Sequence, residues 1–387
     1  MEKDTISEVL SRLPAKSLLR FESVSKGWRD LISNNSFRRL QCHRVKTVTS
    51  GFFFQDTWDV PYPVKYFSVK NDQAILQDTV LDFLPEMVEL IASSNGLLCC
   101  KSCDDSNARD KLIYVCNPIK KEYVQIEWPK GTVLHQDFAL AFDPFCYPVD
   151  ELSNFKLACV CKETLLTILL QVYSSKTKEW SKLELRVCGD NYNCVPDGQV
   201  VFASGMLYWM TYGDVILAFD VVTEEFCFVG LPVERIYRSQ GLCEVCIGES
   251  NDRLHFIVIS EAGFQVWLMD SEPKWVLKHL ISLSEMEEGN PHFLYNDAKR
   301  AARLVPDDFV IPTWIEPLVY KDGTLLVKLR CNYSYQNEEL EVCTKIYLYN
   351  FETRTMLELF SIDKLGSQLG FLRALPYSMS LAPLGSA

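Results

Sequence analysis

Two stretches near the middle of the chain decide the fold: SGMLYWM (204–210) and LAFDVVTEEFCFVGLP (217–232). The first opens with a polar residue and glycine, a pair typical of a tight turn, and continues into an apolar strand. The second is another apolar, aromatic-rich strand that ends in a turn at Asp220, after which the aromatic residue Phe226 follows. Strands bounded by such turns predict one small unit of β-structure.

The same pattern recurs from about residue 90 onward. The other copies are NGLLCC (95–100) with YVCNPIKKEYVQI (114–126), NDRLHFIVI (251–259) with FQVWLMDSEPKWVLKHL (264–280), DGTLLVKL (322–329) with IYLYNFETRTMLELF (346–360), and more loosely FALAFDP (138–144) with LLQVYSSKTKEWSKLEL (169–185). The turn residues of successive copies are Asn117, Ser174, Asp220, Asp270 and Asn350. The first four follow one another at similar intervals, whereas the last interval is long enough to hide a degenerate copy around 300–315.

A period of about 50 residues with several strands per unit is typical of kelch-like propeller blades, each a sheet that buries its faces against its neighbours. At this spacing the remainder of the chain predicts about six blades, with seven as the alternative number. A two-sheet sandwich array is the competing architecture. A fraction of 12% aromatic residues is consistent with strand-rich structure in either case.

The N-terminal segment differs from the rest in charge. Residues 1–45 contain nine basic and five acidic residues, a net charge of +4, whereas the remainder contains 30 basic and 46 acidic residues, a net charge of −16. This asymmetry predicts two modules, 1–45 and 46–387.

Helical periodicity characterises the first module. Apolar residues from Ile6 to Leu13 follow one helical stripe, Pro14 ends that helix, and Ser25 caps a later helix that contains Trp28. The pattern predicts three helices. Because so few residues cannot close a useful core alone, the leftover apolar stripe should contact a partner or the downstream domain.

The run LSRLPAKSLLRFESVSKGWRDLISNNSF (10–37) closely resembles the plant form of the F-box. The resemblance implies that the module docks on a Skp-family adaptor through an apolar surface formed or supported by Ile6, Val9, Leu10, Leu13, Pro14, Leu18, Leu19, Val24 and Trp28. Alternatively, Trp28 is only the core of a small helical cap. The chain lacks the Leu-Pro that usually opens an F-box one turn before the acidic position, here Asp4, so that either adaptor binding is weakened or the gene model is shortened.

The second module resembles the F-box-associated domain of plant F-box proteins, in the family's order, over about 90–384. The matching stretches are IASSNGLLCCKS, YVCNPIKKEYVQIEWP, ALAFDP, VYSSKTKEWSKL, GMLYWMT, ILAFDVVTEEF, QVWLMD and ALPYSMSLAPL. The expected fold is therefore mainly β with a small α N-terminal module: a three-helix F-box followed by a kelch-like β-propeller of about six blades.

Motifs for catalysis or cofactor binding are missing from the sequence. It has no HExxH, GxSxG, Walker or GxGxxG pattern, so we expect no catalytic residue, no cofactor and no metal. The pairs Cys100/Cys103 and Cys243/Cys246 are far apart in the sequence and are better interpreted as buried thiols than as a zinc site.

Charge, hydropathy and cysteine content limit the partners. The net charge of −12 disfavours nucleic acid, and no apolar run reaches the length of a membrane span. Fifteen cysteines without a secretion signal predict reduced thiols and a cytoplasmic or nuclear location.

These expectations combine into one functional hypothesis. The F-box resemblance implies a non-catalytic substrate-recognition subunit of a Skp–cullin–F-box ubiquitin ligase, linked through the adaptor to cullin and RING subunits. The propeller would capture an unidentified target protein, and its acidic charge weakly favours a basic or lysine-rich target surface. The alternatives are an adaptor-bound module without ubiquitylation activity, and a propeller lectin or enzyme with a vestigial F-box.

Overall fold

The structure is a computed structural model of the chain. It describes residues 2–46, 48–57, 63–70, 73–77, 80–103, 111–129, 136–145, 154–164, 167–186, 196–233, 244–260, 262–270, 274–290, 293, 314–334, 340–365 and 372–384.

Helices open the chain: α1 (Glu2–Leu10), α2 (Ala15–Phe21), α3 (Lys26–Ser33) and α4 (Asn35–Arg44). Ser25 caps α3 as predicted, its side chain accepting the Trp28 N–H at 3.2 Å. The prediction of three helices is wrong in number, because α4 follows directly. Asn34 starts it by accepting the N–H groups of Ser36 and Phe37 at 2.9 and 3.3 Å, which satisfies donors that a helix start leaves unpaired.

Strands make up most of the rest. In chain order they are β1 (Thr49–Asp56), β2 (Lys65–Lys70), β3 (Gln73–Gln77), β4 (Val88–Ser94), β5 (Leu97–Ser102), β6 (Leu112–Asn117), β7 (Glu122–Glu127), β8 (Gln136–Ala141), β9 (Lys156–Thr164), β10 (Thr167–Ser174), β11 (Glu179–Arg186), β12 (Pro196–Ala203), β13 (Met206–Thr211), β14 (Val215–Asp220), β15 (Phe226–Gly230), β16 (Glu244–Ser250), β17 (Arg253–Ser260), β18 (Gly263–Met269), β19 (Trp275–Ile281), β20 (Trp314–Lys321), β21 (Thr324–Ser334), β22 (Leu340–Asn350), β23 (Thr355–Ser361) and β24 (Leu372–Ser378). A fifth described helix, α5 (Leu283–Gly289), follows β19.

The strands form a β-propeller rather than a sandwich array. About six blades are expected, and the pairing gives four blades that are separate four-stranded sheets, with orders β24-β1-β2-β3, β4 to β7, β8 to β11 and β12 to β15. The remaining eight strands form one sheet. Its antiparallel halves, β16 to β19 and β20 to β23, are joined by parallel pairing of Gly248 with Tyr320 and of Glu249 with Lys321.

Both ends of the chain contribute to one blade. β24 pairs antiparallel with β1, with Phe53 opposite Leu375, so the C-terminal strand closes the ring beside the first strand. The innermost strands β4, β8, β12, β16, β20 and β24 are then neighbours around a central axis. A degenerate copy was expected around 300–315; residues 300–313 lie outside the described part of the chain.

The repeated sequence pattern reflects turn chemistry. Asn95, Ser204 and Asp322, each between the first two strands of a unit, have φ angles of 43°, 50° and 49° and precede a glycine. Such left-handed pairs suit the twist of a two-residue hairpin. The predicted strand boundaries at these positions are therefore set by local residues.

Turns between the third and fourth strands follow a second rule. The Asn350 side chain accepts the N–H groups of Glu352 and Thr353 at 2.9 and 3.0 Å, and Asp220 caps its own turn in the same way. Arg354 then adopts a φ of 55°. Asn and Asp favour such turns because their side chains bond the backbone two residues on.

Most of the cysteines in the described part of the chain lie in the core, as predicted. Those described as buried are Cys42, Cys99, Cys100, Cys116, Cys159, Cys161 and Cys246, whereas Cys103 is half-buried and Cys227 exposed. Cys243, the other member of the second Cys-x-x-Cys pair, lies outside the described residues. Across the described part of the chain, no three His, Cys, Asp or Glu side chains are grouped to hold a metal ion. None of the described helices has the length and apolarity of a membrane span.

Candidate protein-interaction site

The N-terminal helices pack around a small core that continues into the propeller. Leu10, Leu18 and Ile32 are 3%, 0% and 0% exposed, and they belong to one hydrophobic cluster with residues of β4 to β9 and of the C-terminal segment. Phe21 and Trp28 meet edge to face at 5.3 Å on the outer side of this core. The core of the helical module is thus completed by residues of the propeller.

The nine residues expected to contact an adaptor fall into three groups. Those exposed are Ile6 (37%), Val9 (58%), Val24 (61%) and Pro14; those half-buried are Leu13, Leu19 and Trp28; those buried are Leu10 and Leu18. The exposed group provides apolar surface without a partner in the described part of the chain. The other residues pack beneath that surface and support the helices.

Helix α4 ties α1 to the module. The Arg44 guanidinium donates to Glu8 Oε2 at 2.7 Å and to Ser11 Oγ at 2.6 Å, and Gln41 Nε2 donates to the Leu13 carbonyl at 2.9 Å. Hydrogen bonds from Arg12 and then Arg44 hold the pKa of Glu8 below its usual value. These contacts keep α1 oriented with its exposed residues outward.

Arg38 on α4 anchors the helical module to the propeller. Only 4% of its side chain is exposed, and its guanidinium makes two hydrogen bonds of 2.7 Å to the two carboxylate oxygens of Glu122. Its Nε donates to the Leu381 carbonyl at 2.8 Å. Nearby, Lys120 and Glu22 form a second cross-module ion pair at 2.9 Å.

Residues 379–384, here called the C-terminal clasp, lie between α4 and the propeller. Asn117 Nδ2 donates to the Ser380 and Ala382 carbonyls at 3.1 and 2.8 Å, and Cys42 Sγ lies 3.4 Å from Ser380 Oγ. In the sequence, the terminal stretch is recognisable only as part of the family pattern. The partners of this stretch are not predicted, because they lie far away along the chain. The sequence feature that could have indicated them is α4, which was not predicted as a separate helix.

A cavity of about 600 Å³ runs along the propeller axis. The six innermost strands line it, together with Lys328 and Arg330 of β21. A second cavity of about 310 Å³ adjoins it on the side of the helical module, next to Lys46, and shares Ser93 and Phe202 with it. The structure therefore offers two distinct surfaces: the exposed apolar helices and the propeller axis.

Together these features define a class of protein: a small helical module fixed on a β-propeller. Residues 3–40 match the F-box domain, and residues 50–294 match the family described as F-box protein At3g26010-like, beta-propeller. The chain belongs to this family of F-box proteins.

Similar proteins of known sequence are consistent with this family assignment. F-box protein At5g49610 of Arabidopsis thaliana is 29% identical over 300 residues, which cover 72% of this chain and 78% of the relative. F-box protein At5g07610 of the same plant is 29% identical over 313 residues, covering 75% and 72%. Among solved structures, a protein from Lactobacillus plantarum covers 86% of this chain and 98% of its own at a TM-score of 0.38 and 10% identity, a likeness too distant to add to the fold assignment.

Proposed function

We propose that the protein is the substrate-recognition subunit of a Skp–cullin–F-box ubiquitin ligase. The observation that supports this most is the exposure of Ile6, Val9 and Val24 on a module whose remaining apolar residues are largely buried or half-buried. Exposed apolar side chains gathered on a small helical module are typical of a docking surface for another protein. In this proposal, that surface binds a Skp-family adaptor and, through it, the cullin and RING subunits.

In this proposal the propeller holds a target protein and the chain itself supplies no reacting group. Ubiquitin transfer would be promoted by proximity, because tethering raises the concentration of a target lysine near the charged conjugating enzyme. The location proposed for this assembly is the cytoplasm or the nucleus.

Adaptor binding is tested by charging the exposed surface. The double variant Val9→Asp/Val24→Asp should weaken binding of a purified Skp-family adaptor by about tenfold or more, because each charge would have to be desolvated in an apolar interface. Both side chains are more than half exposed, so the melting temperature should stay near that of the parent chain. Replacing Leu13 or Trp28 is less informative, since both also pack against the core.

Val222→Asp is the matched control. Val222 is 74% exposed on a turn of the propeller, so this variant adds the same kind of charge away from the helices and should bind the adaptor normally. Calorimetry or co-purification gives the readout. Equal adaptor binding by the double variant and the control would refute the assignment, and binding without ubiquitylation of a captured target in a reconstituted ligase would limit it to an interaction module.

A further inference from the structure

The axial cavity, here called the central channel, has the size and lining of a ligand site. Its volume of about 600 Å³ lies within the range of sites that enclose small molecules, roughly 300–1,000 Å³. All six innermost strands contribute to it, and its lining combines apolar residues such as Leu140, Leu207 and Ile247 with charged ones. A cavity of this kind is held in shape by the ring of strands.

The charged residues that line the channel are more basic than those of the domain as a whole. Residues 46–387 contain 30 basic and 46 acidic residues, whereas the charged residues that line the channel are four basic and three acidic. Lys321 pairs with Glu249, and Lys328 pairs with Glu316. The charged lining residues beyond these pairs are Arg330, Arg373 and Asp197.

Lys328 and Arg330 extend the same face of β21. They follow Leu326 at alternate positions, and side chains two residues apart on a strand share a face. Leu326 packs against the cluster that contains Phe52 and Phe54 of β1, so this face of β21 is turned toward the first blade. Lys328 is 8% exposed and Arg330 is half-buried.

Arg330 and Arg373 carry the positive charge available to a ligand. Within the described residues, Arg330 makes no ion pair or hydrogen bond through its guanidinium. Arg373, on the neighbouring strand β24, donates to the Leu90 carbonyl at 2.8 Å and lies 3.9 Å from Glu89, whose carboxylate already pairs with Lys101 at 2.8 Å. Guanidinium groups are suited to carboxylate and phosphate because their planar N–H donors match two oxygens at once.

We propose that the central channel binds a small molecule that carries carboxylate or phosphate groups, with Arg330 and Arg373 as the residues that recognise the anion. Partial burial strengthens such a charge pair relative to one in bulk water. The acidic outer surface does not attract such a ligand, which restricts binding to the channel. The inference does not depend on adaptor binding.

Isothermal titration of the full chain with citrate, inorganic phosphate and pyrophosphate tests the proposal. At least one of these probes should bind saturably, and its affinity should fall as sodium chloride is added, because salt screens the charges. Arg330→Gln should weaken that binding by about tenfold or more, since it removes the charge while keeping most of the side-chain length.

Arg354→Gln is the control for this experiment. Arg354 is exposed on the turn between β22 and β23, so the same chemical change there should leave binding unaltered. Circular dichroism of Arg330→Gln should match the parent chain. Saturable binding of none of the three probes, or full binding retained in Arg330→Gln, would overturn the proposal. Binding of an acidic peptide but of no small anion would overturn the small-molecule assignment.

Discussion

Buried His255 on β17 makes the stability of the propeller sensitive to pH. Its ring lies 5.0 Å from that of Tyr320, and its Nδ1 lies 3.0 Å from the Arg253 carbonyl oxygen. Burial lowers the pKa of His255 from its ordinary 6.5 to about 4, since desolvation disfavours the charged ring. Between these two values the unfolded chain binds more protons than the folded one. Stability should therefore be lost as the pH falls from about 6.5 toward 4.

The variant His255→Gln should remove this dependence. In the parent chain, this one group should lower the free energy of unfolding by about 2 kcal/mol between pH 7 and pH 5. Urea denaturation of both chains at the two pH values measures the difference. A lower free energy of unfolding of the variant at pH 7 reports the missing ring contact with Tyr320. The change in the free energy of unfolding between the two pH values reports the titration of the histidine. An equal pH dependence in parent and variant would contradict the assignment of the titration to His255.

At the scale of residues, the sequence predicts an apolar stripe on α1 but not which of its residues are exposed. Helical spacing correctly groups Ile6, Val9 and Leu10 on neighbouring positions, yet the structure buries Leu10 and exposes Val9. Periodicity identifies an apolar stripe, but which part of the stripe is covered depends on what packs against it. Here the buried Leu10 belongs to one cluster with Phe37 and Cys42 of α4 and with residues of the propeller, none of which lies within the stripe.

At the scale of elements, the parallel pair of β16 and β20 joins two four-stranded units into one eight-stranded sheet. Gly248 pairs with Tyr320, and a Cβ added to Gly248 would lie well inside van der Waals contact with the Tyr320 carbonyl oxygen. Glycine is required there because another backbone approaches closely.

Gly248→Ala should therefore push these strands apart and lower the free energy of unfolding by about 2 kcal/mol. Gly230→Ala is the matched control, because nothing lies within 4 Å of a Cβ at Gly230, and it should stay within about 0.5 kcal/mol of the parent. Chemical denaturation monitored by tryptophan fluorescence compares the two. Equal stability of both variants would show that the parallel contact is not tight in solution.

Local signals explain why five of the strand units were predictable. Each unit carries its own turn residues, such as Asn350 and Asp220, and these act over a few positions. The blade that contains β1 and β24 was not predicted, because its strands come from opposite ends of the chain and their pairing has no local signature. The same holds for the fused sheet, which depends on a close approach between the distant segments around Gly248 and Tyr320.

At the scale of the whole molecule, the contact between the helical module and the propeller sets how the exposed apolar residues of the helices are oriented relative to the propeller axis. The C-terminal clasp continues from β24, the strand that closes the ring, and its Leu381 and Ala382 are fully buried. Arg38 bonds this segment and Glu122 at once. Ring closure and docking of the helices are thus made by one continuous stretch of chain. The exposed residues of α1 consequently keep a fixed direction relative to the propeller axis.

Arg38→Ala should loosen this connection. It leaves the Glu122 carboxylate and the Leu381 carbonyl without their buried donor, so the free energy of unfolding should fall by about 2 kcal/mol, less than for a fully buried pair because Glu122 is 35% exposed. Hydrogen exchange should accelerate in α4 and in the C-terminal clasp while the hairpin of β13 and β14 stays protected.

Two further variants separate the ion pair from a general loss of packing. Lys182→Ala breaks an ion pair with Glu184 in which both side chains are about half exposed, so it should change stability by less than about 1 kcal/mol and leave exchange in α4 unaltered. Adding Glu122→Gln to Arg38→Ala should restore part of the lost stability, because the unpaired charge is removed. If the double variant is no more stable than Arg38→Ala and exchange in α4 stays slow, the Arg38–Glu122 pair is not what holds the helices on the propeller. The direction of the exposed apolar residues of α1 would then not depend on the arginine.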